Sequence, residues 1–265
     1  MAKGISIHIG LNGINLTDYS SALDILKGAE KDAIAMKQIL KNNGFSSQRL
    51  SMDQAKRNII ITEIINASQQ LNSGDIFCLT FSGHGGRVPK NMYNSESVGY
   101  FETWCLYDGL FFDAELTKLL SLFKLGVRIL IISDSCHSGG ILDKTTEKFK
   151  RPFAVKSIKS QISINTFNMR SVFYKNIISQ SLNHGIPKCS IKLLAACKAD
   201  ETTKDGFPNS EFTAKLIKVW DNGSFSGKYE EFCSSISMQP PPKEAIIQNS
   251  GMNCENCNFD KPFKI

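Results

Sequence analysis

The chain has 265 residues, 42% of them hydrophobic and 21% charged, with a net charge of +6. That is the make-up of an ordinary globular protein with room for one large domain or two small ones, and no repeat or low-complexity tract interrupts it. No apolar run approaches the roughly 18 residues that span a bilayer, and the lysines are scattered rather than gathered on one aromatic-lined patch, so neither a membrane nor a nucleic acid is expected as a partner.

In chain order, Met1-Ala2-Lys3-Gly4 runs directly into an apolar segment with no signal-peptide core, so a cytoplasmic location is expected. Lys3 to Leu11 reads as a first strand. Ala29, Ala33, Met36 and Leu40 recur at helical spacing, and Asn42-Asn43-Gly44 stops that helix. A second helix fits Asn58 to Leu71, and a buried strand follows from Ile76 to Phe81. Arg87 to Tyr107 reads as an irregular loop over the site. Asp113 can cap a helix from Ala114 to Phe123, and Val127 to Ser133 is the next apolar strand. Lys144 to Lys188 lacks clear strand patterning, carries many lysines and serines, and reads as a basic linker or insertion. The last part holds a strand from Ser190 to Ala196, helices from Ser210 to Trp220 and Tyr229 to Ser237, and a strand near Ala245 to Gln248. Alternating strands and helices predict an α/β fold with a mostly parallel sheet and helices on both faces. The predicted division is a first region over 1–143, a linker over 144–188 and a second region over 189–265, the two regions completing one domain.

Five of the eight cysteines, Cys78, Cys105, Cys189, Cys197 and Cys233, lie mostly in apolar runs and read as small buried hydrophobes rather than disulfide partners. Cys254 and Cys257 form a lone CxxC with no second pair, a weak metal or redox signal whose role stays open. Cys136 differs. It stands at the end of an apolar strand in Ser133-Asp134-Ser135-Cys136-His137-Ser138-Gly139-Gly140. The strand from Ile76 to Phe81 ends likewise in Ser82-Gly83-His84-Gly85-Gly86. Parallel sheets build active sites at such strand ends.

A thiol needs an adjacent base to become a nucleophile near neutral pH. Of the four histidines, His137 is next to Cys136 and poorly placed, His8 lies among isoleucines inside a strand, and His184 sits in the lysine-rich region. His84, flanked by glycines at a strand end, is the expected base. The backbone N–H of Gly85, with that of Cys136, suits an oxyanion. Acyl transfer through a thioester, hence peptide-bond hydrolysis, is the expected chemistry. A redox role for Cys136 would need a resolving thiol, and none lies in its own segment.

The boxes Ser82-Gly83-His84-Gly85 and Asp134-Ser135-Cys136-His137-Ser138-Gly139 resemble those of metacaspases and bacterial orthocaspases, members of the caspase family of cysteine peptidases. Lys27-Gly28-Ala29-Glu30-Lys31-Asp32-Ala33, Leu194-Ala195-Ala196-Cys197, Phe212-Thr213-Ala214-Lys215-Leu216 and Lys261-Pro262-Phe263 are similar to further segments of that family. The resemblance implies the caspase–haemoglobinase fold, with large- and small-subunit-like regions on one six-stranded sheet, and a monomer. It implies an S1 pocket of Asp32, Ser82 and Asp134 for polypeptide substrates with Arg or Lys at P1, since two carboxylates can grip one cation. It needs no cofactor for the chemistry. It also suggests Ca²⁺ as an activator at Asp113 and Asp143, with Asp108 contributing, although Phe112 stands where a further carboxylate belongs. Lys148, Lys150, Arg151, Lys156, Lys159 and Arg170 all suit the implied pocket, which leaves two readings of the linker, a site of autocleavage or a solvated loop that is never cut. The alternative is a catalytically silent caspase-like scaffold or regulatory protein.

Overall fold

The computed structural model describes residues 1–135, 156–183, 185–197, 203–251 and 261–265. Strands β1 (Gly4–Gly10), β2 (Ser46–Ser51), β3 (Ile76–Ser82), β7 (Arg128–Asp134), β8 (Ser190–Ala195) and β9 (Ile246–Ser250) form one sheet in the order β2-β1-β3-β7-β8-β9. All neighbours are parallel except β9, which pairs antiparallel with β8. The central strands are buried on both faces, which is why β3 and β7 read as continuous apolar runs.

The period of two in those strands sorts their side chains between two cores. Phe77, Leu79 and Phe81 of β3 face α2 (Arg57–Gln70) and α3 (Asp113–Leu120) through Ile60, Ile64, Leu116 and Leu120. Ile76 and Cys78 face the other way, into a core shared with α1 (Ala29–Asn42), α6 (Glu211–Trp220) and α7 (Tyr229–Met238) through Met36, Leu40, Leu216, Phe232 and Ile236. Cys78, Cys105, Cys189, Cys197 and Cys233 are buried and form no disulfide, as their apolar settings predict. No described helix is long and apolar enough to cross a membrane.

Three stretches depart from the sequence reading. Residues 87–107, expected as a loop, carry strand at both ends: β4 (Gly85–Pro89), β5 (Tyr100–Leu106) and the following β6 (Gly109–Phe112) form a second, antiparallel sheet. The β-favouring residues Phe101, Thr103 and Trp104 are buried in it, and Glu102 is tolerated there because Arg87 pairs with it at 3.0 Å. The region taken as linker contains α4 (Ser160–Met169) and α5 (Ser171–Leu182). Their Phe167, Tyr174 and Ile178 close a third core over Val88, Phe101 and Phe112. Serines, asparagines and glutamines around those few anchors dilute the helical period. Finally β2, Ser-Ser-Gln-Arg-Leu-Ser, went unread because an edge strand buries too little to need apolar residues.

Candidate functional site

Parallel pairing in register sets Ser82, the last residue of β3, beside Asp134, the last residue of β7. His84 and Asp134 therefore stand at the carboxyl ends of adjacent central strands, where an open α/β sheet binds its ligands. Asp32 arrives from the first turn of α1, which packs closely over β1: a Cβ at Gly10 would come within 2.5 Å of the Ala29 carbonyl oxygen.

His84 is 4% exposed. Its Nε2 lies 2.7 Å from the backbone carbonyl oxygen of Asp24, which makes Nε2 the donor, while Nδ1 is buried with no hydrogen-bond partner among the described residues. Burial holds its pKa below the ordinary histidine value, opposed by the Asp24 carbonyl and carboxylate, so the ring is neutral near pH 7 with a lone pair at Nδ1. His8, in contrast, has Nδ1 3.0 Å from Thr80 Oγ1 and Nε2 2.9 Å from Ser6 Oγ, and belongs to the core as expected. Cys136, Asp143, His137, His184, Cys254, Cys257, Lys148, Lys150 and Arg151 lie outside the described residues.

The three expected pocket residues converge. Ser82 donates to Asp32 at 2.7 Å. Between Asp32 and Asp134 sits the side chain of Lys156, with no exposed surface. Its Nζ lies 3.0 Å from Asp134 Oδ1 and 3.6 Å from Asp32 Oδ2, and donates to Ser82 Oγ at 2.8 Å and the Asp134 carbonyl at 2.9 Å. A buried ammonium is tolerated only when its donors are satisfied in this way. The backbone of the same residue is held too. Lys156 N–H donates to the Thr203 carbonyl at 3.2 Å, and its own carbonyl accepts the Gly85 N–H at 2.8 Å. Ile158 N–H then returns to the Gly85 carbonyl at 3.0 Å. The amide expected to serve an oxyanion is thus occupied by a carbonyl of the chain itself.

Residues not anticipated from the sequence complete the pocket. Asp32 accepts from Asn209 Nδ2 and Ser210 N–H, both at 3.0 Å, and from the Ser210 hydroxyl. Asp134 accepts from the hydroxyls of Thr203 at 3.2 Å and Thr213 at 2.7 Å, and from Thr213 N–H at 3.2 Å. Burial and the neighbouring Asp134 push the Asp32 pKa up, while Lys156 and the Ser210 and Ser82 hydroxyls oppose them. Asp205 accepts the amides of Lys27 and Gly28 at 2.7 and 3.0 Å, tethering the loop that carries the Asp24 carbonyl. Small polar residues this far from their partners in sequence leave no local pattern to find.

Of the three expected calcium donors, Asp113 and Asp108 are described and Asp143 is not. Asp113 accepts the amides of Glu102 and Ala114 at 3.2 and 2.8 Å, and Asp108 accepts the Arg57 amide at 2.9 Å. Among the described residues no three acidic, histidine or cysteine side chains are grouped to hold a metal.

A family profile described as the caspase domain matches residues 14–262. Metacaspase-6 of Arabidopsis thaliana is 26% identical over 236 residues, 85% of this chain and 61% of that protein. Metacaspase-9 of the same plant is 30% identical over 194 residues, 68% of this chain and 54% of its own. Metacaspase-1 of Candida albicans is 27% identical over 249 residues, 78% and 55% of the two. The chain therefore spans between about half and three fifths of the length of these curated relatives. A crystal structure of a Geobacter sulfurreducens protein matches 99% of both chains at 33% identity, with a TM-score of 0.87.

Proposed function

The chain belongs to the caspase-domain family and is metacaspase-like, and from that premise we propose that it is a cysteine endopeptidase cleaving after Lys or Arg. One observation carries the specificity: Lys156 lies in the acidic pocket of its own chain in the posture of a P1 residue, its ammonium between Asp32 and Asp134 and its carbonyl on the Gly85 amide. A pocket that satisfies a lysine so fully rejects aspartate, which would add a third buried negative charge.

In this reading Cys136 Sγ gives its proton to His84 Nδ1 and attacks the P1 carbonyl carbon. The Gly85 and Cys136 amides hold the oxyanion. The tetrahedral adduct collapses to a thioester, and the departing amine takes the proton from His84. Water, deprotonated by the same imidazole, then hydrolyses the thioester, freeing the new carboxyl end and restoring the thiol. The Asp24 carbonyl fixes the productive tautomer by holding Nε2–H. No step involves calcium.

The same geometry favours the Lys156–Ser157 bond for autocleavage among the described basic residues that suit the pocket. Lys159 and Arg170 lie elsewhere: Lys159 precedes α4, and Arg170 pairs with Asp18 at 3.3 Å. The test compares the full chain, Cys136→Ala and Lys156→Ala on fluorogenic peptides ending in Arg, Lys or Asp, with mass spectrometry of the chain itself. Expected are Arg/Lys cleavage lost in Cys136→Ala, a cut after Lys156, and activity without processing in Lys156→Ala. Cleavage after Asp alone would overturn the Arg/Lys specificity, and cleavage of none of the peptides by the full chain would return the protein to the scaffold alternative.

A further inference from the structure

The first turn of α6 serves both pocket carboxylates instead of itself. Ser210 occupies the N-cap position, where a serine hydroxyl ordinarily accepts an amide of its own helix. Here it makes no such bond and donates to Asp32, as does its amide at 3.0 Å. Three residues on, Thr213 gives both its amide and its hydroxyl to Asp134 Oδ2, at 3.2 and 2.7 Å. Both residues are buried. Two carboxylates around one ammonium leave an excess negative charge that burial opposes. A helix N-terminus carries roughly half a positive charge, and α6 presents it here. Glu211 in the same turn is committed to Lys215 at 2.6 Å.

We infer that Ser210 and Thr213 are the positioning residues that hold Asp32 and Asp134 as a fixed, doubly charged pair, so that α6 sets the demand for a full cation at P1. The inference rests on the peptidase reading above. It assigns specificity to the region after the linker, whereas the carboxylates themselves come from the region before it.

The test uses the full chain carrying Lys156→Ala, with Ser210→Ala or Thr213→Val added, on paired peptides ending in arginine and in citrulline, its neutral isostere. Each loss of a hydrogen bond to a charged group is expected to raise KM for the arginine peptide on the order of tenfold. kcat should change far less and the citrulline peptide should be cut as before, so the arginine preference falls by the same factor. Thr213→Ser, which keeps the hydroxyl, should restore it. Equal losses on both peptides, or an unchanged preference, overturn the inference. If the Lys156→Ala chain already cuts neither peptide, the peptidase reading fails first and takes the inference with it.

Discussion

His8 and His84 are buried imidazoles on and beyond neighbouring strands, and their hydrogen bonds separate their roles. With both nitrogens engaged, His8 has nothing left to offer a reaction, and burial lowers its pKa to about 3. Above the ordinary value near 6.5 both folded and unfolded states are neutral at this position. Between 6.5 and about 3 the unfolded chain takes up a proton there that the folded chain refuses, so stability falls with pH by up to about 1.4 kcal/mol per unit. Denaturant unfolding at pH 7, 5.5 and 4 should therefore show a shallower loss in His8→Gln than in the native chain; equal slopes would contradict the assignment. At the pocket, Asp134→Asn removes the carboxylate nearest Lys156. KM for Arg and Lys peptides should rise roughly ten- to a hundredfold, the range for a bond to a charged group, with a smaller change in kcat.

The elements divide by how their sequences announce them. Strands β3 and β7 and the helix stop at Asn42-Asn43-Gly44 were legible because full burial and turn chemistry each impose a strong local pattern. The second sheet was not, because Glu102 and Arg87 look like loop residues until they meet across β4 and β5. Helices α4 and α5 were obscured because few apolar residues, Phe167, Tyr174 and Ile178 with the half-buried Ile162, carry their packing. That packing is tight where α5 meets the β5–β6 turn. Gly109 has φ +132° there, and a Cβ on it would lie 2.5 Å from the Tyr174 hydroxyl, which itself accepts the Leu110 amide at 3.2 Å. Gly109→Ala should destabilise the fold by about 1–3 kcal/mol through backbone strain and this clash. Thermal melting would check it, and an unchanged midpoint would count against the turn.

At the scale of the molecule, the division into regions before and after the linker does not divide the sheet. β7 and β8 pair along six residues across it, and the pocket takes Asp32, Ser82 and Asp134 from one side and Thr203, Ser210 and Thr213 from the other. The sequence placed Asp32, Ser82 and Asp134 by resemblance, but the second set acts only through the fold. A chain cut after Lys156 should accordingly elute as one particle of native size and separate only in denaturant. Two species on native gel filtration would show that the regions hold together through the linker alone.

On the proposed peptidase reading, Lys156 seated in the pocket of its own chain makes the first cleavage a unimolecular event. The half-time of that cleavage would then be the same at nanomolar and at micromolar protein, and a large excess of free peptide would delay it little. Activation would follow a clock set by one molecule's opening and closing, indifferent to how many copies surround it.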